Sequence, residues 1–145
     1  MALYVKDSQL PMAGKGLFTD KPIRKNTRII EYRGEIINWK EYEKRVAADQ
    51  DGYLFFISKN HCIDAYPTPQ YKARYANDAA GLKRVKGLSN NSSYQIFDNK
   101  CYIVAERDIK AGEEIFVDYT KDYWDCIRYN LKNKLYKTKP PQFGG

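Results

Sequence analysis

The chain has 145 residues, an apolar fraction of 43% and a charged fraction of 30%, which is ordinary for one soluble domain with a real core. Its net charge of +7 speaks to acidic partners and not to fold. No apolar run reaches the roughly 18 residues of a membrane span and no signal peptide opens the chain, so no membrane is expected and an intracellular setting, cytoplasm or nucleus, is.

In chain order, "LYVKDSQLPMAGKGLF" alternates strand-like residues with a Pro/Gly turn, and "TRIIEYRGEII" reads as two short strands bent at Gly34. In "NWKEYEKRVAADQ", Asn38 and Glu41 form a capping box, and Trp39, Tyr42 and Val46 share a face. The spacing predicts a helix of about three turns. "GYLFFI" and "HCIDA" are strands, the first too apolar to be exposed on both faces, "YPTPQ" is a loop, and "YKARYAN" makes a helical turn or two. "LKRVKGLSNNSS" reads as a surface loop. "SYQIF" and "KCYIVAE" form a hairpin around Asp98-Asn99, and "KAG" turns into one strand, "EIFVDY". After Trp124, Ile127, Leu131 and Leu135 predict an amphipathic helix. The expected class is mostly β, with small sheets and few helices.

Tyrosine outnumbers phenylalanine 13 to 6, which favours pockets and half-buried surfaces over a purely greasy interior. Cys62, Cys101 and Cys126 lack CxxC spacing and His61 is the single histidine, so no metal site is expected and the thiols read as reduced. "GKGLF" lacks the third glycine, the Lys-Ser/Thr pair and the helix of a phosphate-binding loop, and by itself reads as a turn. Ser89, Ser92 and Ser93 lie far along the chain from His61, which gives a Ser-His-acid triad little support. Glu113, Glu114 and Asp118 taken alone read as a solvated face. Lys83, Arg84 and Lys86 form a basic loop, either solvated or turned to an acidic partner such as nucleic acid.

The order of the pieces carries more than any one of them. "GKGLF", "EYRGEII", "GYLFFISKNHCIDA", "RYANDAAG" and "VAERDIKAGEEIFVDYTKDYW" together resemble the SET-domain lysine methyltransferases over about residues 12–124. The resemblance implies a fold of small β-sheets with a knot-like C-terminal crossing, in which "GEEIFVDY" passes near "RYAN". It implies a protein-lysine N-methyltransferase using S-adenosyl-L-methionine, with a protein substrate, a histone or another basic protein, that offers an accessible lysine. By motif, Tyr119 supplies the essential hydroxyl beside the sulfonium methyl, and Tyr53 and Tyr123 are further catalytic tyrosines of the channel. Lys15, Gly16 and Leu17 lie along the cofactor through their main chain, Asn77 holds it, and Tyr53 and Trp124 form part of its wall. Val117, two residues from Tyr119, shares its face and joins Tyr123 in the substrate channel. A valine where the family commonly has a larger ring leaves room for di- or trimethylation.

Two departures from the family pattern stand out. Asp78 occupies a position that is usually histidine. The family's contact there runs largely through the main chain, so the resemblance assigns Asp78 to the cofactor, its carboxylate able to accept from the adenine amino group. A turn residue is the alternative. No cysteine cluster follows Trp124, so residues 1–124 form the expected SET domain and residues 125–145 a helix and tail that serve as its lid in a small stand-alone member. The rival to catalysis is a SET fold with weak or lost activity that binds protein or nucleic acid; a small basic nucleic-acid-binding β-domain is a third reading.

Overall fold

A computed structural model describes residues 2–11, 13–48, 52–80 and 85–119. The strands are β1 (Leu3–Asp7), β2 (Lys15–Thr19), β3 (Arg28–Tyr32), β4 (Glu35–Ile37), β5 (Leu54–Ser58), β6 (His61–Asp64), β7 (Ser92–Phe97), β8 (Lys100–Ala105), β9 (Glu114–Ile115) and β10 (Val117–Asp118). Helix α1 covers Trp39–Ala47, and a single 3-10 turn covers Lys72–Tyr75. Three small sheets result, with strand orders β1-β2-β9, β10-β7-β8-β3 and β4-β6-β5. This is the mostly-β architecture expected. The helix expected after Trp124 lies outside the described residues.

Local chemistry explains several elements. Asp98 and Asn99 close the β7–β8 hairpin with φ of 53° and 59°, the left-handed pair that matches strand twist in a two-residue turn. Asn38 Oδ1 accepts from Glu41 N–H at 2.9 Å and starts α1. The other half of the expected capping box is replaced, because the Glu41 carboxylate turns to Arg45 Nε at 3.1 Å. At Gly34 an added Cβ would lie 2.4 Å from Asp64 O, so the bend needs glycine because two backbones touch there.

α1 forms where expected but buries no residue. Trp39 stacks on Tyr42 and both meet the exposed Phe56 edge-on. What ties the helix down is Arg45, whose Nη1 donates to Glu35 Oε1 and to Asp64 Oδ2, each at 2.6 Å. Asp64 is buried, so this pair cannot lose one partner cheaply.

The C-terminal segment departs more usefully. "EIFVDY" is not one strand. β9 pairs with β2, Leu17 facing Ile115, whereas β10 runs parallel to β7, Val117 beside Ser92. Phe116 sits between them and bridges to Asn77. Its carbonyl accepts from Asn91 N, Ser92 N and Ser92 Oγ at 3.1, 3.0 and 2.8 Å, and its N–H donates to Asn91 Oδ1 at 3.0 Å. Asn91 and Ser92 are therefore buried, and the end of the expected surface loop is instead an internal splint. Satisfying every backbone group at the crossing is what allows one segment to change sheets without leaving orphan donors.

The main core gathers Leu17, Ile63, Ile103, Ile115, Val117 and their neighbours, and a smaller cluster joins Leu10, Ala13, Ala79 and Phe116. Cys62 and Cys101 are buried and form no disulfide. Burial pushes the Cys101 thiol up to about 12, so it packs as an inert apolar group. No helix among the described residues is long and apolar enough to cross a membrane.

Candidate functional site

The crossing delivers Tyr119 to one wall of a cavity of about 330 Å3. Tyr119 is held at two points. Its N–H donates to Asp78 Oδ2 at 2.9 Å, and its hydroxyl donates to Ala76 O at 2.7 Å. Both partners belong to the segment that follows the 3-10 turn.

Tyr53, buried to 8% exposure, forms another part of the same wall. Tyr32 Oη donates to Tyr53 O at 2.9 Å and fixes the backbone there. Burial raises the Tyr53 phenol pKa, with the charge of Arg74 opposing the shift. The phenol therefore stays neutral well above pH 7 and keeps its proton to donate.

Arg74 lies 4.4 Å over the Tyr53 ring and 5.0 Å over that of Tyr75. Its Nη1 donates to Ala65 O and Tyr66 O at 2.8 and 2.9 Å. Among the described residues, its buried Nε has no hydrogen-bond partner. Asp118 is, among the described residues, the one exposed member of the lining. Phe55, Tyr94 and Tyr32 add three more rings to the lining, with Tyr94 meeting Phe55 at 5.1 Å and Tyr32 at 5.9 Å, ring to ring.

Those three rings were not anticipated from the sequence. Phe55 carried a usable signal, since it stands two residues from Tyr53. Tyr94 and Tyr32 read as ordinary strand residues until strand pairing is known. Conversely, Val117 does not line the cavity: it is fully buried in the main core, against which Tyr119 packs. Tyr123 and Trp124 lie outside the described residues, as do Lys83 and Arg84; Lys86 is exposed.

A second cluster forms where β2, β9 and Asn77 meet. Asn77 is fully buried, and its Nδ2 donates to Lys15 O at 2.9 Å and toward Glu114 Oε2 at 3.5 Å. Both contacts are acceptors, which fixes the amide orientation. That leaves Asn77 Oδ1 buried without a partner among the described residues, where an unmet acceptor carries a desolvation cost.

Glu114 accepts from Ser8 Oγ at 2.6 Å and Gln9 N at 2.9 Å, and burial raises its pKa against those bonds. An added Cβ on Gly16 would lie 2.3 Å from Glu114 Oε2, so Gly16 is glycine because this carboxylate fills the space above it. The Lys15 ammonium turns out to Asp7 at 2.7 Å on the surface, and the Leu17 side chain is in the core. The structure thus joins the Lys15 carbonyl to Asn77, next to a buried acceptor unmet among the described residues. The Asp78 carboxylate points inward, accepting from Ala80 N, Asn90 Nδ2 and Tyr119 N.

A family model described as SET domain matches residues 14–120. The histone-lysine N-methyltransferase EZ2 of Zea mays is 32% identical over 116 residues, covering 74% of this chain and 12% of that protein. The histone-lysine N-methyltransferase 2D of Homo sapiens is 33% identical over 116 residues, covering 77% of this chain and 2% of that one. A solved chain from an active polycomb repressive complex 2 in the basal state superposes with a TM-score of 0.65 at 29% identity, over 83% of this chain and 15% of its own length. The chain therefore spans a small part of each relative.

Proposed function

Because the chain belongs to the SET-domain family, we propose that it is an S-adenosylmethionine-dependent protein-lysine N-methyltransferase. The observation that carries this reading is Tyr119, pinned at backbone and hydroxyl on the wall of a cavity lined by four other aromatic rings. When bound, the cofactor supplies an electrophilic methyl on a sulfonium. The residues present suit it: the unmet Asn77 Oδ1 offers a buried acceptor to a donor group, beside the Lys15–Leu17 main chain.

The cavity's residue types match the other reactant. A lysine side chain in water titrates at about pH 10.4 and must lose its proton before the nitrogen can attack. Exposed Asp118 attracts the incoming ammonium, ring faces guide it, and the apolar interior together with the Arg74 charge disfavours keeping that proton inside. The Tyr53 and Tyr119 hydroxyls then orient the nitrogen, and alignment of the two reactants supplies much of the acceleration. The protein substrate, histone or other, and an intracellular setting in nucleus or cytoplasm belong to the same proposal.

The test is calorimetric titration with S-adenosylmethionine followed by transfer of labelled methyl to histone proteins and lysine peptides. Binding with transfer is expected. Binding without transfer to any substrate would favour the fold as a binding module, and no binding would remove the reading.

A further inference from the structure

We propose that Asp78 is a positioning residue for Tyr119, acting on the reacting centre through that tyrosine and not as a ligand of the cofactor; this rests on the methyl-transfer reading. Asp78 is 1% exposed. One carboxylate oxygen, Oδ1, takes Ala80 N–H and Asn90 Nδ2, both on the loop that follows. The other, Oδ2, takes the Tyr119 N–H at 2.9 Å. Tyr119 is the first residue past β10, so strand pairing no longer holds its amide.

The carboxylate supplies what the ladder has stopped supplying. A charged acceptor bonds such an amide more strongly than a neutral one. The second anchor, Tyr119 hydroxyl to Ala76 O, lies two residues before Asp78. The backbone amide and the phenol tip of Tyr119 are therefore held by one short stretch of chain, and its ring has little freedom to swing. Among the described residues, two donors meet one oxygen and the Tyr119 N–H meets the other, which makes the chemistry specific. An amide at position 78 would keep its oxygen toward Ala80 and Asn90, and its NH2 would face the Tyr119 N–H, donor against donor. Asp78→Asn thus severs the tyrosine link while retaining the loop links.

The experiment combines residue-resolved amide exchange with kinetics. In the parent protein the Tyr119 amide should exchange slowly although it lies beyond the strand. In Asp78→Asn its exchange should accelerate by about tenfold or more while Ala80 stays protected. The kcat should fall about ten- to a hundredfold, with cofactor affinity and substrate KM held within about twofold. A Tyr119 amide that exchanges freely in the parent overturns the proposal without need of any variant. A variant that loses cofactor affinity and keeps kcat overturns it too, by returning Asp78 to the cofactor. Absence of methyl transfer in the parent would sink the activity reading, while the exchange result decides the Asp78 link independently.

Discussion

The rings of Tyr94 and Tyr119 stack with centroids 6.3 Å apart and planes 18° from parallel. The pairing follows from strand register: β7 and β10 run parallel with Ser92 beside Val117 and Ser93 beside Asp118, so the next residue on each comes level with the other. Tyr94 also meets Phe55, from the sheet β4-β6-β5, and Tyr32, from its own sheet. The cavity thus lies between two sheets, and Tyr94 and Tyr32, 5.1 and 6.0 Å from Phe55, both reach across.

Tyr119→Phe keeps the ring and its stack and removes the hydroxyl donated to Ala76 O. Stability should fall by about 1 kcal/mol, the net worth of one such bond. Methyl transfer should fall about a hundredfold or more if the hydroxyl aligns the reacting atoms. Labelled-methyl assays on parent and variant check this, and near-equal rates would remove Tyr119 from the mechanism.

Asn77→Ala takes away the donor to Lys15 O and the unmet Oδ1 together. Affinity for S-adenosylmethionine should drop more than about tenfold, or about 1.4 kcal/mol, with a lowered melting temperature because Lys15 O loses its partner. Calorimetry separates the two effects. A lowered melting temperature with unchanged affinity would make Asn77 a purely structural splint.

What the sequence revealed and what it hid divide along the range of the forces involved. The Asn38 cap and the Asp98-Asn99 turn were legible because each is settled within four residues. The split of "EIFVDY" was not, because Asn77 and Asn91, respectively 39 and 25 positions before Phe116 by subtraction of residue numbers, decide it. Asp78 was assigned to the cofactor largely through its main chain, with a turn residue as the alternative, and the partners of its carboxylate were not legible. Only the folded arrangement sets Asn90, Ala80 and Tyr119 around it.

Glu114 provides a pH signature. Its folded-state pKa is raised, chiefly by burial, so the folded state holds this proton more tightly than the unfolded chain. Its contribution is fully present below the unfolded carboxylate value and is lost as pH rises through the raised one. Glu114→Gln should therefore flatten that part of the slope, making the variant gain on the parent as pH climbs above about 4.5. Chemical denaturation from pH 4 to 7 would show it; a constant difference across the range would mean the carboxylate binds its proton equally in the folded and unfolded states.

Gly34→Ala should destabilise by about 2 kcal/mol or more, since the new methyl meets Asp64 O at 2.4 Å and the Ala65 N at 2.8 Å and neither backbone can yield without disturbing the β4–β6 pairing. Thermal melts decide this. A variant as stable as the parent would show that the two backbones do not approach so closely in solution.

Tyr94→Ala tests whether the stacked ring limits what the cavity admits. Half-buried Tyr94 loses contacts with three rings at once, and truncation should cost about 2 kcal/mol, below the roughly 3–5 kcal/mol of a fully buried aromatic. Each further methyl on a lysine nitrogen needs room beside Tyr119, and the amine must rotate to present its lone pair again. With Val117 enclosed in the core, Tyr94 is, among the described residues, the ring stacked on Tyr119. Removing it should shift products toward higher methylation and raise KM as the rings that guide the cation are lost. Tyr94→Phe, which keeps the ring, should retain the parent's product pattern. Mass spectrometry of a methylated peptide at long reaction times reads both variants. An identical distribution of mono-, di- and trimethyl-lysine in the parent and Tyr94→Ala would mean that methyl count is governed outside this stack.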